Sequence, residues 1–180
     1  MTFNNFLETA PEFSNLTEQD IENFQRIMCV REYPAGHEFC KEGTGGHEAH
    51  LIINGEISVT HKRGVERGSL EINRLKPGNM FGIVAIMTDK KHEASYRAVG
   101  PVTVATMPGS SFKLLYESNS KLGLHFQQFV VTQLAKDYQS MVDLLRRVLF
   151  ANSKEEALSA FNPMNPADRR APQDRRQSAH

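Results

Sequence analysis

His47 and His50 flank Glu48 and Ala49 just before an apolar run, and imidazole is a common metal ligand. In a strand, successive side chains point to opposite faces, so His47 and His50 would point in opposite directions. Positions 51–55 read Leu-Ile-Ile-Asn-Gly and offer no evident third ligand. We therefore predict no metal site and interpret the two residues as a turn histidine and a surface-strand histidine.

Lys90, Lys91 and His92 form a second polar group, which follows an apolar stretch. These side chains can contact an anion, but such a run is also typical of a solvated loop, and both interpretations stay open. The sequence has no serine nucleophile elbow, phosphate-binding glycine loop or paired-carboxylate pattern. Cys29 and Cys40 are too few for a disulfide framework or a four-thiolate metal site. We therefore predict no enzymatic activity, no catalytic residue and no cofactor.

The composition is that of one ordinary globular domain of 180 residues. Its 21 Lys and Arg balance 21 Asp and Glu, which argues against a strongly basic nucleic-acid-binding protein. No apolar run reaches the roughly 18 residues of a membrane span, and the first residues lack the basic flank of a secretory signal. We expect a cytoplasmic protein without a membrane partner.

The residue pattern predicts helices, then strands, then a long helix. Residues 1–30 are predicted helical, with a capping pattern at Thr17–Asp20 and core-facing apolar residues at helical spacing, namely Ile21, Phe24, Ile27 and Met28. From about residue 31 to 107, short apolar runs alternate with turns that contain glycine or proline, and residues 82–89 are predicted to interrupt them with a short helical turn. The predicted fold is α+β, an antiparallel β jelly-roll barrel with N-terminal helices and a long C-terminal amphipathic helix.

The long helix is predicted over about residues 121–149, because apolar residues recur there at alternating spacings of three and four. We call this stripe the seam; Gln127 is its one polar member, and its apolar members are Leu124, Val131, Leu134, Tyr138, Met141, Leu145 and Val148. The first half can pack on the barrel, and the remainder predicts a homodimer, with a wholly intramolecular core stripe as the alternative.

The chain is predicted to divide into a domain over residues 1–150 and a disordered tail over residues 151–180, which is polar and interrupted by prolines. A winged helix-turn-helix needs on the order of 60–70 residues with three helical segments, so we expect no sequence-specific DNA binding.

Four landmarks occur in order between the predicted helices: Tyr33-Pro34-Ala35-Gly36, Glu42-Gly43, Leu51-Ile52-Ile53-Asn54-Gly55-Glu56 and Lys76-Pro77-Gly78-Asn79-Met80-Phe81-Gly82. With these landmarks, roughly residues 10–148 resemble the cyclic-nucleotide-binding domain of bacterial catabolite activators, protein kinase A regulatory subunits and nucleotide-gated channels. The resemblance implies the fold predicted above and a regulatory, ligand-sensing role.

The resemblance also implies a phosphate-binding cassette over residues 81–95, which aligns with the family pattern without a gap. In the family, a glutamate of the cassette accepts a hydrogen bond from the ribose 2′-hydroxyl, and an arginine pairs with the cyclic phosphate. Here Ile83 stands at the glutamate position, His92 at the arginine position and Lys91 at a preceding proline position. The implied ligand-binding candidates are Phe81, Gly82, Ile83, Val84, Ala85, Lys91, His92, Glu93, Ala94 and Ser95.

The two replacements are predicted to lower the affinity for a cyclic nucleotide. Ile83 offers no acceptor, which costs roughly 1–3 kcal/mol, and loss of the charge-assisted arginine pair costs roughly 1.5–3 kcal/mol more. The predicted affinity loss is about two to four decades. The sequence therefore predicts a non-catalytic regulatory or interaction module that has lost the usual cyclic AMP binding and uses another small molecule or a protein partner. The alternative is a genuine sensor of a cyclic nucleotide or cyclic dinucleotide with a non-standard pocket, in which backbone amides and Lys91 contact the ligand.

Overall fold

The computed structural model describes residues 3–9, 13, 16–62 and 68–160, the last ten by their backbone only. The elements are α1 (Phe3–Thr9), α2 (Glu18–Arg26), β1 (Cys29–Tyr33), β2 (Glu38–Cys40), β3 (Glu48–Asn54), β4 (Ile57–Lys62), β5 (Ser69–Leu75), β6 (Met80–Phe81), α3 (Ile83–Thr88), β7 (Ser95–Ala98), β8 (Val102–Pro108), α4 (Gly109–Tyr116) and α5 (Lys121–Ala160). The chain divides into two compact units, Met1–Met141 and Val142–His180. The first unit holds the sheets and the candidate site.

Helix α2 begins as the sequence predicts. The Asp20 N–H donates to Thr17 Oγ1 at 3.2 Å, and the Thr17 N–H donates to Asp20 Oδ2 at 3.1 Å, which forms a complete capping box. Phe24 and Met28 are buried, and Ile21 and Ile27 pack against the same core. The observed helices of this region end at Arg26 and do not reach residue 30, because strand β1 already begins at Cys29.

The strands form two four-stranded sheets, with the orders β1-β8-β3-β6 and β2-β7-β4-β5. The pairings are antiparallel, as predicted. The predicted jelly-roll barrel takes the form of two antiparallel sheets that do not close into one barrel within the described strands, because no strand of one sheet is hydrogen-bonded to a strand of the other. The short strands β2 and β6, of three and two residues, offer few backbone groups with which to continue a ladder between the sheets.

Strand β3 lies between two apolar layers. Ile52 belongs to the cluster between the two sheets, whereas Leu51 and Ile53 belong to the cluster between the first sheet and the helices. Because successive side chains alternate in direction, a strand covered on both faces is buried throughout, as residues 49–53 are. The first sheet therefore forms the middle layer of the fold.

The helices after the strands differ from the prediction at one end. Helix α3 forms the predicted short helical turn, but α5 continues to Ala160 instead of ending near residue 149. Residues 151–160 contain no proline or glycine and include Lys, Glu, Ala and Leu, which are favourable in helices. These ten residues of the predicted disordered tail are helical, and residues 161–180 lie outside the described residues.

The seam of α5 is exposed at most of its positions, namely Leu124, Val131, Tyr138, Met141, Leu145 and Val148. Leu134 instead packs partly against the core of its own chain, and the Gln127 Nε2 donates to the Tyr116 carbonyl oxygen at 2.5 Å. Leu134 and Gln127 thus make contacts within their own chain. Among the described residues, none of the helices combines the length and the apolar character that a membrane crossing requires.

Candidate functional site

A small cavity lies at the predicted cassette, with a volume of about 80 Å³. We call it the cassette pocket; it is lined by Met80, Phe81, Gly82, Ile83, Val84, Ala85, Lys91, His92, Glu93, Tyr96, Leu134 and Asp137. Most of the candidates named from the sequence therefore surround one cavity. Ala94 and Ser95 are not among its lining residues: Ala94 packs between the sheets, and the Ser95 Oγ accepts a hydrogen bond from the Glu42 N–H at 3.0 Å.

Gly82 turns the chain from β6 into α3 and must be a glycine. Its φ is +84°, which L side chains rarely adopt. A Cβ atom at this position would also lie 2.5 Å from the Glu48 carbonyl oxygen on β3. The backbone at the start of the cassette thus lies directly against the central strand.

Ile83, at the position of the family's ribose-binding glutamate, is a core residue. Its side chain is buried with Ile86 in the cluster between the first sheet and the helices. An apolar side chain there has no hydrogen-bond acceptor to offer a sugar hydroxyl.

His92, at the position of the family's phosphate-binding arginine, is buried under the loop between β2 and β3. The backbone N–H of His92 donates to the Thr44 carbonyl oxygen at 2.8 Å, and the backbone carbonyl oxygen of His92 accepts from the Gly43 N–H at 2.8 Å. Burial lowers the pKa of His92 below the ordinary 6.5, and the nearby His47 lowers it further. His92 is therefore uncharged at pH 7 and cannot replace the arginine charge.

His50 belongs to a buried ring cluster beside the pocket, which corrects its interpretation as a surface-strand histidine. Its ring stacks on Phe81 at 4.9 Å between centroids, and its Nδ1 is 3.0 Å from Thr106 Oγ1. Alternation along β3 does not bring His50 to solvent, because both faces of this strand are covered. Burial lowers the pKa of His50 to about 4, with further contributions from His92 and His37.

The pocket also has an aromatic wall. Phe81 and Tyr96 stack with their centroids 5.0 Å apart and an angle of 10° between their planes. Burial raises the pKa of the Tyr96 phenol to about 12, so the hydroxyl stays protonated. Since Phe81 also stacks on His50, its ring is packed between two other rings of the protein.

Helix α5 supplies two pocket residues that sequence reasoning did not assign there, Leu134 and Asp137. The Asp137 Oδ1 accepts a hydrogen bond from Gln133 Nε2 at 2.8 Å. Gln133 is buried, and its Oε1 accepts from the Met80 N–H at 3.3 Å and from Asn79 Nδ2 at 3.4 Å. The sequence could have indicated that these two residues lie together, because Asp137 follows Leu134 by one helical turn and lies on the same helix face.

The histidine pair of the sequence analysis lies near the start of β3. His47 precedes the strand, and its carbonyl oxygen accepts a hydrogen bond from the Gly109 N–H at 2.7 Å. Within the part of the chain that the structure describes, no three His, Cys, Asp or Glu side chains are grouped so that they could hold a metal ion.

Comparison with known families places this geometry in context. The model of the cyclic nucleotide-binding domain matches residues 30–119, and the chain belongs to this family. A cGMP-dependent protein kinase of Caenorhabditis briggsae is 33% identical over 112 residues, which are 62% of this chain and 15% of the kinase. A cAMP-dependent protein kinase regulatory subunit of Eremothecium gossypii is 31% identical over 115 residues, which are 64% of this chain and 24% of the subunit. The chain thus matches less than a quarter of the length of either relative.

The fold is shared with solved structures of the same class. A cyclic nucleotide-binding domain from Methylobacillus flagellatus superimposes with a TM-score of 0.68 at 19% sequence identity, over 79% of this chain and 80% of that domain. This similarity confirms a fold of antiparallel sheets with flanking helices, which is the part of the predicted fold that the described strands also show.

Proposed function

We propose that this chain is a non-catalytic regulatory or interaction module that does not bind cyclic AMP in the usual manner of its family. It acts instead through a different ligand or a protein partner. The observation that carries the proposal is the pair Ile83 and His92, which occupies the two positions where a cyclic nucleotide needs an acceptor and a cation.

The state of the pocket supports the same conclusion. Its volume of about 80 Å³ is well below the roughly 300–1,000 Å³ of pockets that enclose drug-sized ligands. Ile83 is buried in apolar surroundings, and His92 is uncharged at pH 7 because burial lowers its pKa. A cyclic phosphate would have to enter a small cavity in which no arginine lines the wall to pair with it.

Titration calorimetry of the full chain with cyclic AMP, cyclic GMP and cyclic di-GMP tests this proposal. We expect none of the three to bind with submicromolar affinity, and we expect the double variant Ile83→Glu/His92→Arg to gain cyclic AMP affinity by at least tenfold. The matched control is Met87→Glu/Lys90→Arg, which adds the same side chains at exposed positions of the cassette that do not line the pocket. Submicromolar cyclic AMP binding by the unmodified chain would refute the proposal.

A cyclic-nucleotide or cyclic-dinucleotide sensor with a non-standard pocket is the second candidate function. It is favoured by Lys91, a cation that lines the pocket at the position of the family's proline. If this candidate is right, one of the three ligands binds the unmodified chain, and Lys91→Gln weakens that binding in a salt-dependent way.

The proposed module associates as a homodimer through α5. Tyr138 and Met141 are 71% and 57% exposed, although their spacing is typical of a helix–helix seam. Sedimentation velocity of the full chain tests this, with Met141→Glu expected to shift the dimer toward monomer. Ser140→Glu, which adds the same charge beside the seam, is the control; a chain that sediments as a monomer at every concentration would contradict the homodimer.

A further inference from the structure

A groove lies on the outer face of the second sheet, and we call it the outer groove. Its volume of about 510 Å³ falls within the roughly 300–1,000 Å³ of small-molecule sites. Along β4, core residues alternate with Ser58, Thr60 and Lys62, which line the groove. On β7, Tyr96 lines the cassette pocket and the next residue, Arg97, lines the outer groove. The outer groove and the cassette pocket are therefore separate sites on opposite faces of the same sheet.

The strand register places two arginines on one line across the groove. Ser58 of β4 pairs with Arg97 of β7 on one side and with Arg74 of β5 on the other. Because paired Cα atoms of antiparallel strands lie about 5 Å apart, the Cα atoms of the two arginines are about 10 Å apart on the same face. Lys62 follows Ser58 by four residues of β4, or about 13 Å along the strand. Cations thus stand at three separate points of the groove.

Glu38 and Glu42 also line the groove, but they are less exposed than the cations beside them. Glu38 Oε2 accepts a hydrogen bond from Arg97 Nη2 at 2.9 Å, and the Glu38 side chain is 34% exposed whereas that of Arg97 is 59% exposed. The Glu42 side chain is only 18% exposed, and its Oε2 accepts from the Lys62 backbone N–H at 2.9 Å. The charges that face outward on this side of the groove are therefore those of Arg97 and Lys62.

A further carboxylate of the groove, Glu71, is bonded at both oxygens. Its Oε2 accepts from the Ser58 hydroxyl, and its Oε1 accepts from Arg74 Nε and Nη2 at 3.2 and 3.0 Å. Arg74 Nη1 also lies 3.6 Å from Glu56 Oε2. These carboxylates hold the Arg74 guanidinium in place and balance part of its charge, so Arg97 attracts an anion more strongly than Arg74 does.

The composition of the walls favours a charged ligand. Among the described residues, four basic and three acidic side chains line the groove, and no aromatic ring does. Affinity must therefore come from charge-assisted hydrogen bonds. A guanidinium has five N–H donors, and the pair with Glu38 takes one of those of Arg97, so Arg97 can still bind a carboxylate or phosphate group. Because the cations are spread over the groove, a ligand with two or more anionic groups matches them better than a single phosphate.

We propose that the outer groove is a second binding site, which takes a small oxyanion with two or more carboxylate or phosphate groups. Arg97 is its main contact, Arg74 binds it from the other side of Ser58, and Lys62 binds a further anionic group. The proposal goes beyond the proposed function, because it places a ligand outside the cassette and does not depend on what the cassette binds.

Titration calorimetry of the full chain at low ionic strength, with citrate, fructose 1,6-bisphosphate and inorganic phosphate, tests the proposal. Citrate or the bisphosphate is expected to bind at least tenfold more tightly than inorganic phosphate, and added salt is expected to weaken that binding. Binding of citrate alone assigns the site to polycarboxylates, binding of the bisphosphate alone assigns it to phosphate esters, and binding of both assigns it to multivalent oxyanions in general. Absence of binding at millimolar concentration, or binding no tighter than that of phosphate, overturns the proposal.

Two variants locate the site. Arg97→Gln is expected to weaken the binding at least tenfold, because it removes a charge-assisted contact. Lys62→Gln leaves the pair of Arg97 with Glu38 in place and is expected to weaken the binding severalfold. Arg26→Gln is the matched control, because Arg26 is an exposed arginine that also lies beside a carboxylate and does not line the groove. Equal affinity in the unmodified chain and in both groove variants overturns the proposal.

The double variant Ile83→Glu/His92→Arg separates this proposal from the proposed function. It alters the cassette alone, so it is expected to leave the binding of citrate or the bisphosphate unchanged. Loss of that binding in the double variant would place the anion in the cassette pocket and overturn the outer groove as its site. Submicromolar cyclic AMP binding by the unmodified chain, in contrast, refutes only the proposed function.

Discussion

Gly46 lies directly against the imidazole of His92. A Cβ atom on residue 46 would be 2.9 Å from His92 Cε1 and 3.1 Å from Nε2, and it would also overlap the Ala85 Cβ. The mutual backbone hydrogen bonds of His92 with Thr44 and Gly43 hold the loop at this distance. The loop between β2 and β3 and the cassette therefore pack as one unit, in which the only side chain that fits at position 46 is a hydrogen atom.

We predict that Gly46→Ala destabilises the protein by about 1–3 kcal/mol, because the added methyl group overpacks the contact with Ala85 and His92. Urea unfolding followed by circular dichroism measures the change. Gly100→Ala is the matched control, since nothing lies within 4 Å of a Cβ at that glycine. A surface substitution of this kind changes stability by about 0.5 kcal/mol or less. Equal effects of the two substitutions would contradict the packing described here.

We predict a loss of stability on acidification that depends on His50. Its pKa is about 4 in the folded protein and about 6.5 when exposed, so between these values the unfolded chain binds the proton and the folded chain does not. The free energy of unfolding is therefore highest above pH 6.5 and falls as the pH is lowered toward 4. The expected contribution between pH 6.5 and pH 4 is about 3 kcal/mol.

Urea unfolding at pH 7, 5.5 and 4.5 checks this contribution. His50→Gln should reduce the pH dependence over this range. A pH dependence that is the same in the unmodified chain and in His50→Gln would show that His50 is not the group responsible.

We predict different reactivity for the two cysteines. Cys40 is buried, and burial raises the pKa of its thiol to about 12, so the reactive thiolate is scarce at pH 8; Cys29 is exposed. Iodoacetamide should modify Cys29 in the native protein and Cys40 only after unfolding, as read by peptide mass spectrometry. The variant Cys29→Ser should then show little native modification; rapid labelling of Cys40 would mean that the space between the sheets opens readily.

We predict that Gln133→Leu costs about 1–3 kcal/mol of stability, because it leaves the buried Met80 N–H without its partner. Gln128→Leu, at an exposed position of the same helix, is expected to have a much smaller effect. The comparison is made by thermal and urea unfolding of both variants beside the unmodified chain. Equal stability of the unmodified chain and Gln133→Leu would argue against this hydrogen bond.

The sequence determined the features that depend on local chemistry. The capping residues Thr17 and Asp20 fixed the start of α2, and the cassette pattern around Gly82 located the short helix and most of the pocket residues. These features could be predicted because a cap, a turn or an aligned motif is specified by neighbours in the chain. The absence of proline and glycine from residues 151–160 is also visible in the sequence and favours a helix, although the prediction ended the long helix too early.

Only the tertiary structure decided which residues from distant segments share the pocket. Burial of His50 follows from the two layers that cover β3, and alternation along one strand does not reveal how many layers pack on it. Asp137 lines the cassette pocket because α5 packs beside the cassette. Helical spacing predicts the seam, but it does not show which residues beside the seam face the protein's own core. Burial, and with it the loss of charge on His92, is a property of the packed chain, so the electrostatics of the site emerge only when segments far apart in sequence exclude water together.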